Sequence, residues 1–147
     1  MSVMGDIKTK IKERLQLLVD AGILGEIQVD DAASDIFERD IGKWPCAILA
    51  TPSTQSDYFQ NTQNTRTHVF EVIVVQKQEN ISSQDAIENL IEAILDKFDT
   101  VPNLSGAATG GVEPASSPVE KIPAKGGTYI TFAITLKCRV IKDLIFE

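Results

Sequence analysis

His68 is the only histidine in the chain, and it stands inside the apolar run THVFEVIVV. General acid–base or nucleophilic chemistry needs a nucleophile or a carboxylate within reach of the imidazole. None adjoins it in sequence, so His68 reads as a cross-strand or surface histidine. Cys46 and Cys138 lie in apolar, strand-like runs, with neither a CxxC partner nor a histidine beside them. Zinc sites use closely spaced ligand pairs, which this spacing does not provide. The two thiols therefore read as buried and free, since two cysteines make no disulfide framework. Asp30, Asp31 and Asp35 invite a cation-site reading. A calcium loop, however, places glycine at its sixth position, and counting from Asp30 that position holds Asp35. Gly110-Gly111 and Gly126-Gly127 belong to no phosphate-loop or dinucleotide pattern and read as turns. The expectation is a protein that is not an enzyme, with no catalytic residue, metal ligand or cofactor.

The elements that carry these residues follow from periodicity. Met4, Ile7, Ile11, Leu15 and Leu18 recur at three and four, which predicts a helix from about Val3 to Ala21, with Gly22 as its C-terminal stop. A short strand is expected over Glu26 to Val29. The segment Asp30 to Gly42 is acidic, and Ile36, Phe37 and Ile41 fit either a helical turn or an edge strand. Trp44 to Ala50 reads as a buried strand with Pro45 at its start. Residues 51–65 are polar and read as a long loop or a hairpin tip. Arg66 to Gln78 is a strong strand apolar on both faces, with Phe70, Val72 and Val74 on one side and Val69, Ile73 and Val75 on the other. Ile87, Leu90, Ile91, Ile94, Leu95 and Phe98 form the stripe of a second helix, capped by Ser82, with Glu88 and Glu92 on its outer face. Residues 101–127 are rich in Gly and Pro and read as a second long loop, with a strand over Val119 to Ile122 and a turn at Lys125-Gly126-Gly127. In an isolated subunit residues 104–117 are expected to be mobile, because each fixed residue costs ~1–2 kcal/mol of backbone entropy. The last strand, Thr128 to Lys142, alternates cleanly, with Ile130, Phe132, Ile134, Leu136, Cys138 and Val140 on one face. Leu144, Ile145 and Phe146 follow it.

The order α-β-β-β-α-β-β predicts one α+β domain over residues 1–147: a two-layer sandwich whose mixed, mainly antiparallel sheet has about four or five strands, with both amphipathic helices on one face. The formal net charge is −7, from 21 acids against 14 bases. The bases are scattered, so no specific nucleic-acid partner is expected. The acids gather in residues 26–40 and 79–99, which offers one acidic and one mildly basic face for head-to-tail contact between subunits. No apolar run is long enough to span a bilayer, so no membrane partner is expected. The charged N-terminal stretch lacks the apolar segment of a secretory signal.

Taken together, the strand IGKWPCAIL, the polar region SDYFQNTQNTRTHVFEVIVV, the helix ending ILDKFD, a long Gly/Pro segment and the last strand TYITFAITLKCRV resemble the tail terminator (tail completion, head–tail joining) family of tailed bacteriophages. The resemblance implies a structural virion protein, assembled in the host cytoplasm, that forms a ring, commonly hexameric, on the tail tube. Such a ring ends tail elongation and presents a docking surface to the head connector. The implied partners are other copies of the chain, the tail tube protein and the head connector protein. Candidate oligomer-interface residues are Trp44, Tyr58 and Phe59, at or near the polar segment. Val69, Glu71 and Ile73 join them from one strand, and Lys137 and Arg139 from the last. The alternatives are another head–tail connector or tail tube ring subunit, or a non-viral protein-binding adaptor.

Overall fold

Helix α1 spans Val3–Asp20 and buries the stripe its spacing predicts: Ile7, Ile11, Leu15 and Leu18 are sealed from solvent. Gly22, at φ +78°, closes it. The Gly22 N–H donates to the Val19 carbonyl (3.0 Å) and the Ile23 N–H to the Leu18 carbonyl (2.9 Å). This 6→1 and 5→2 pattern satisfies the last carbonyls and needs a left-handed residue, which glycine adopts without a Cβ penalty. The computed structural model describes residues 3–29, 42–50, 53–60, 63–77, 84–99, 111–124 and 127–143. The acidic segment around Asp30, Asp31 and Asp35, with Ile36, Phe37 and Ile41, lies outside the described residues. So do Ser82, the Lys125-Gly126 turn, residues 101–110 and residues 144–147.

Strands β1 (Glu26–Val29), β2 (Cys46–Leu49), β3 (Ser53–Gln60) and β4 (Gln63–Lys77) follow α1. Helix α2 (Gln84–Asp99) precedes β5 (Gly111–Ser116), β6 (Glu120–Ala124) and β7 (Gly127–Asp143). The spine of the sheet is the antiparallel ladder between β4 and β7, paired continuously from Gln63↔Asp143 to Lys77↔Tyr129. Each spine strand is flanked on its outer edge by two short strands in tandem. On β4, β2 pairs with Val72 to Val75 and β3 with the half from Gln63 to Val69. On β7, β5 pairs with Ile134 to Arg139 and β6 with Gly127 to Thr131. Among the described residues only β1 with β2 is parallel, so the sheet is mixed and mainly antiparallel, as expected.

Three expectations are corrected. The sheet has seven strands among the described residues, not four or five. The supposed loop 51–65 holds β3, which forms a hairpin with β4, so of the two readings of that segment the hairpin is the one observed. The supposed loop 101–127 holds β5 and β6, both bonded to β7. Residues 111–116, expected to be mobile in an isolated subunit, are therefore paired within their own domain. β6 falls where a strand was expected over Val119 to Ile122, whereas β3 and β5 escaped notice for one reason: neither has the alternating apolar pattern of a half-buried strand. Their backbones are held by partners with strong patterns of their own.

Successive residues of a strand face opposite sides, and here the two sides differ in kind. Phe70, Val72, Val74, Ala47, Leu49, Ile134, Leu136 and Cys138 join the stripes of both helices in one core. Ile94 and Phe98 of α2 are fully buried there, while Leu90, Ile91 and Leu95 pack on its rim. Each fully buried side chain of this size stabilises the fold by ~1.5–3 kcal/mol. His68 shares the helix side of β4 and is only 6% exposed. It sits opposite Cys138 on β7 and Thr54 on β3, so its cross-strand reading holds and its surface reading does not. Pro114 on β5 and Pro123 on β6 occupy the outer strands beside β7, where a missing N–H is tolerated and discourages the addition of a further strand.

Candidate interaction surface

The odd-numbered positions of β4 and β7 form the second face of the sheet, away from α1 and α2. Register sets Val69 opposite Lys137, Glu71 opposite Thr135 and Ile73 opposite Ala133. Glu71, Lys137 and Arg139 are exposed, and Val69, Ile73 and Thr135 are half-buried. Arg139 Nη1 lies 2.9 Å from Glu113 Oε1 across the β5–β7 ladder, with both side chains about half exposed (45% and 58%). An ion pair at that exposure contributes little to stability, but it fixes the guanidinium on the surface.

At the other end the face turns apolar. Cys46, Ile48 and Val75 are buried, and Trp44, Ile73 and Tyr129 pack around them. Trp44 stacks on Tyr129, with ring centroids 5.6 Å apart and planes at 27°. Lys77 Nζ sits 5.3 Å from the centre of the Trp44 ring, within cation–π range. Tyr129 and Lys77 are themselves a register pair, so the ladder positions all three groups. The neighbouring Pro45 is held by its backbone: Gly25 donates to the Pro45 carbonyl at 2.8 Å, which ties the end of the α1 turn to the start of β2.

Of the candidate interface residues, Trp44, Val69, Glu71, Ile73, Lys137 and Arg139 thus fall on one sheet face. Tyr58 and Phe59 lie on β3 at its irregular end, where pairing shifts between Tyr58 and Gln60; their side chains are outside the described residues. The face runs from an aromatic-capped apolar end to a charged end, a layout suited to a directional contact.

Among the described residues, no three His, Cys, Asp or Glu side chains converge as a metal site. Glu26 Oε2 accepts from the Gln28 amide (3.0 Å) and the Gly42 N–H (3.3 Å), and the Cys46 thiol lies 4.0 Å away. Cys138 donates weakly to the Leu136 carbonyl at 3.8 Å, and burial pushes its thiol from the ordinary 9.0 up to about 12. A thiol with its pKa raised in this way is protonated at neutral pH and a poor nucleophile. Among the described residues, no helix is long and apolar enough to cross a membrane.

One feature was not foreseen from the sequence. Between α2 and the sheet lies a groove of about 440 Å³, lined by Ile23, Pro45, Leu90, Ala93, Ile130 and Phe132, with Gln76 and Asn89 among its polar groups. It opens because Ala86 and Ala93, one helical repeat of seven apart, put small side chains where α2 faces the start of β7. Those two alanines are the only signal the sequence held, and alanine in a helix ordinarily reads as propensity. No protein-family model matches the chain, and no curated protein matches it.

Proposed function

We propose that this chain is a structural subunit of a bacteriophage tail, forming a ring that caps the tail tube, ends its elongation and offers a docking surface to the head connector. The observation that carries this reading is the two-sided sheet. One face is sealed by both helices, and the other runs from an apolar, aromatic-capped end to an exposed charged end. A subunit of a closed ring needs two different surfaces that meet head to tail, and a face graded from apolar to charged can supply one of them. The partners are other copies of the chain, the tail tube protein and the head connector. The reading requires no cofactor and places the protein in the virion.

Light scattering coupled to chromatography over a range of concentrations, with electron microscopy of the largest species, tests it. The expected species is a single closed ring that halts growth when added to polymerising tail tube protein. Long filaments of the chain alone would identify a tube subunit instead. A strict monomer at the highest soluble concentration, with no ring on tube ends, would overturn the proposal. The groove beside α2 favours a second reading, a protein-binding adaptor, and that monomer would support it.

A further inference from the structure

The groove beside α2 lies at the β7 end that holds Ile130 and Phe132. At the opposite end of the same strand, directly after Asp143, the sequence continues Leu144, Ile145, Phe146. The approach to that segment is already apolar on the outside: Ile141 is 41% exposed. From Ile130 to Asp143 a strand advances roughly 40 Å at ~3.3 Å per residue. The three residues after Asp143 reach at most about 11 Å. The segment therefore cannot fill the groove of its own chain, but it can fill the groove of a neighbour placed end to end. Size agrees as well. A cavity of ~150 Å³ lined by Leu, Ile and Phe accepts one benzene, so about 440 Å³ accommodates two or three apolar side chains.

We infer that residues 144–146 of one copy occupy the α2 groove of the next, a head-to-tail contact whose repetition closes a ring. This rests on the ring reading above and specifies its joint. The contact is heterologous, because the groove lies at the Ile130 end of β7 and the segment follows its Asp143 end.

Disulfide trapping tests it in the full chain. Asn89 is exposed at the groove, and both native cysteines are buried. A chain carrying Phe146→Cys, mixed with one carrying Asn89→Cys and oxidised, should give a cross-linked heterodimer. A mixture of Phe146→Cys with Leu17→Cys, exposed on α1 away from the groove, should give at least tenfold less. The double variant Leu144→Asp, Phe146→Asp should need at least tenfold more protein to assemble than wild type, with an unchanged circular dichroism spectrum. Equal cross-linking in both mixtures, or assembly of the double variant at wild-type concentrations, would overturn the inference while leaving the ring reading intact. A chain carrying both Asn89→Cys and Phe146→Cys that closes this disulfide within itself rather than between copies would also overturn it, by showing that the segment reaches its own groove. A wild-type chain that stays monomeric would overturn the ring reading. The trapping mixture at that concentration would still decide whether the segment meets the groove.

Discussion

Gly25 and Gly22 stand three residues apart and should respond to the same substitution for different reasons. A Cβ on Gly25 would lie 2.7 Å from the Trp44 nitrogen, 2.7 Å from the Trp44 oxygen and 2.9 Å from the Lys43 carbonyl carbon. All three are backbone atoms and cannot swing aside as a side chain does. Gly25→Ala must push β2 away from the α1 turn, an overpacking cost of ~1–3 kcal/mol, and strain the Gly25–Pro45 hydrogen bond, worth another ~0.5–1.5 kcal/mol. Together the loss is about 2–4 kcal/mol. At Gly22 a Cβ meets nothing within 4 Å, but φ is +78°, so Gly22→Ala costs only the left-handed strain of ~1–2 kcal/mol. Gly22→Asn should recover part of it. Trp44 is the only tryptophan and sits at the crowded contact, so its fluorescence reports both global unfolding and the local shift. In urea, with a slope of ~1–3 kcal/mol per molar, Gly25→Ala should lower the midpoint by roughly 1–2 M and alter native Trp44 emission. Gly22→Ala should lower it less and leave the emission unchanged. A Gly25→Ala midpoint equal to wild type, or one less affected than Gly22→Ala, would refute the crowding argument.

Ile94→Ala, at a fully buried position on α2, should cost ~2–5 kcal/mol by leaving a cavity. Ile91→Ala, on the rim, should cost less, and the same urea titrations rank the two. His68→Ala should destabilise by ~1–3 kcal/mol, because a buried polar group and its packing are lost, while His68→Ala protein that still folds should assemble as wild type does. For Cys138 the folded thiol sits at about 12 against 9.0 in the ordinary state, so the native state holds the proton more tightly than the unfolded one. Its contribution is intact below pH 9 and is lost as pH rises towards 12. Stability measured across that window should fall, and Cys138→Ala should flatten the fall. Native protein should resist thiol alkylation that denatured protein undergoes.

Much of the fold was legible because its strongest signals are local or periodic. The stripe from Ile7 to Leu18, the α2 stripe and the alternation in β7 each fix which face is turned to the core, with Ile87, Ile94 and Phe98 buried on α2 and Leu90, Ile91 and Leu95 at its rim. The two apolar faces of β4 rightly announced a central strand. What stayed hidden depends on partners distant in sequence. β3 and β5 are polar or Pro-bearing segments that become strands because β4 and β7 offer them unpaired backbone, and no window of their own residues contains that information. His68 is buried for the same reason: its neighbours across the sheet, Cys138 and Thr54, lie far away in the chain. Five candidate interface residues, Val69, Glu71, Ile73, Lys137 and Arg139, were gathered onto one face by period-two counting alone. The groove was not, since it is made by what Ala86 and Ala93 lack.

The spine ladder joins residues that are synthesised far apart. Its pairs are separated by 52 residues at Lys77–Tyr129 and by 80 at Gln63–Asp143, and closing such loops is slow compared with forming helices or hairpins. A ribosome adding ~5–20 residues per second leaves β4 waiting roughly 3–15 s for its partner. During that interval the β3–β4 hairpin can form, but Phe70, Val72 and Val74 have no β7 opposite them and the β4 edge is bare. An aggregation hazard therefore exists on the nascent chain that the finished fold does not show, and the protein should depend on chaperones during synthesis more than its final stability would suggest. The same delay has a use for a subunit that must not join its neighbours early: the groove wall at Ile130 and Phe132 and the charged end at Lys137 and Arg139 all arrive on the strand that completes the core.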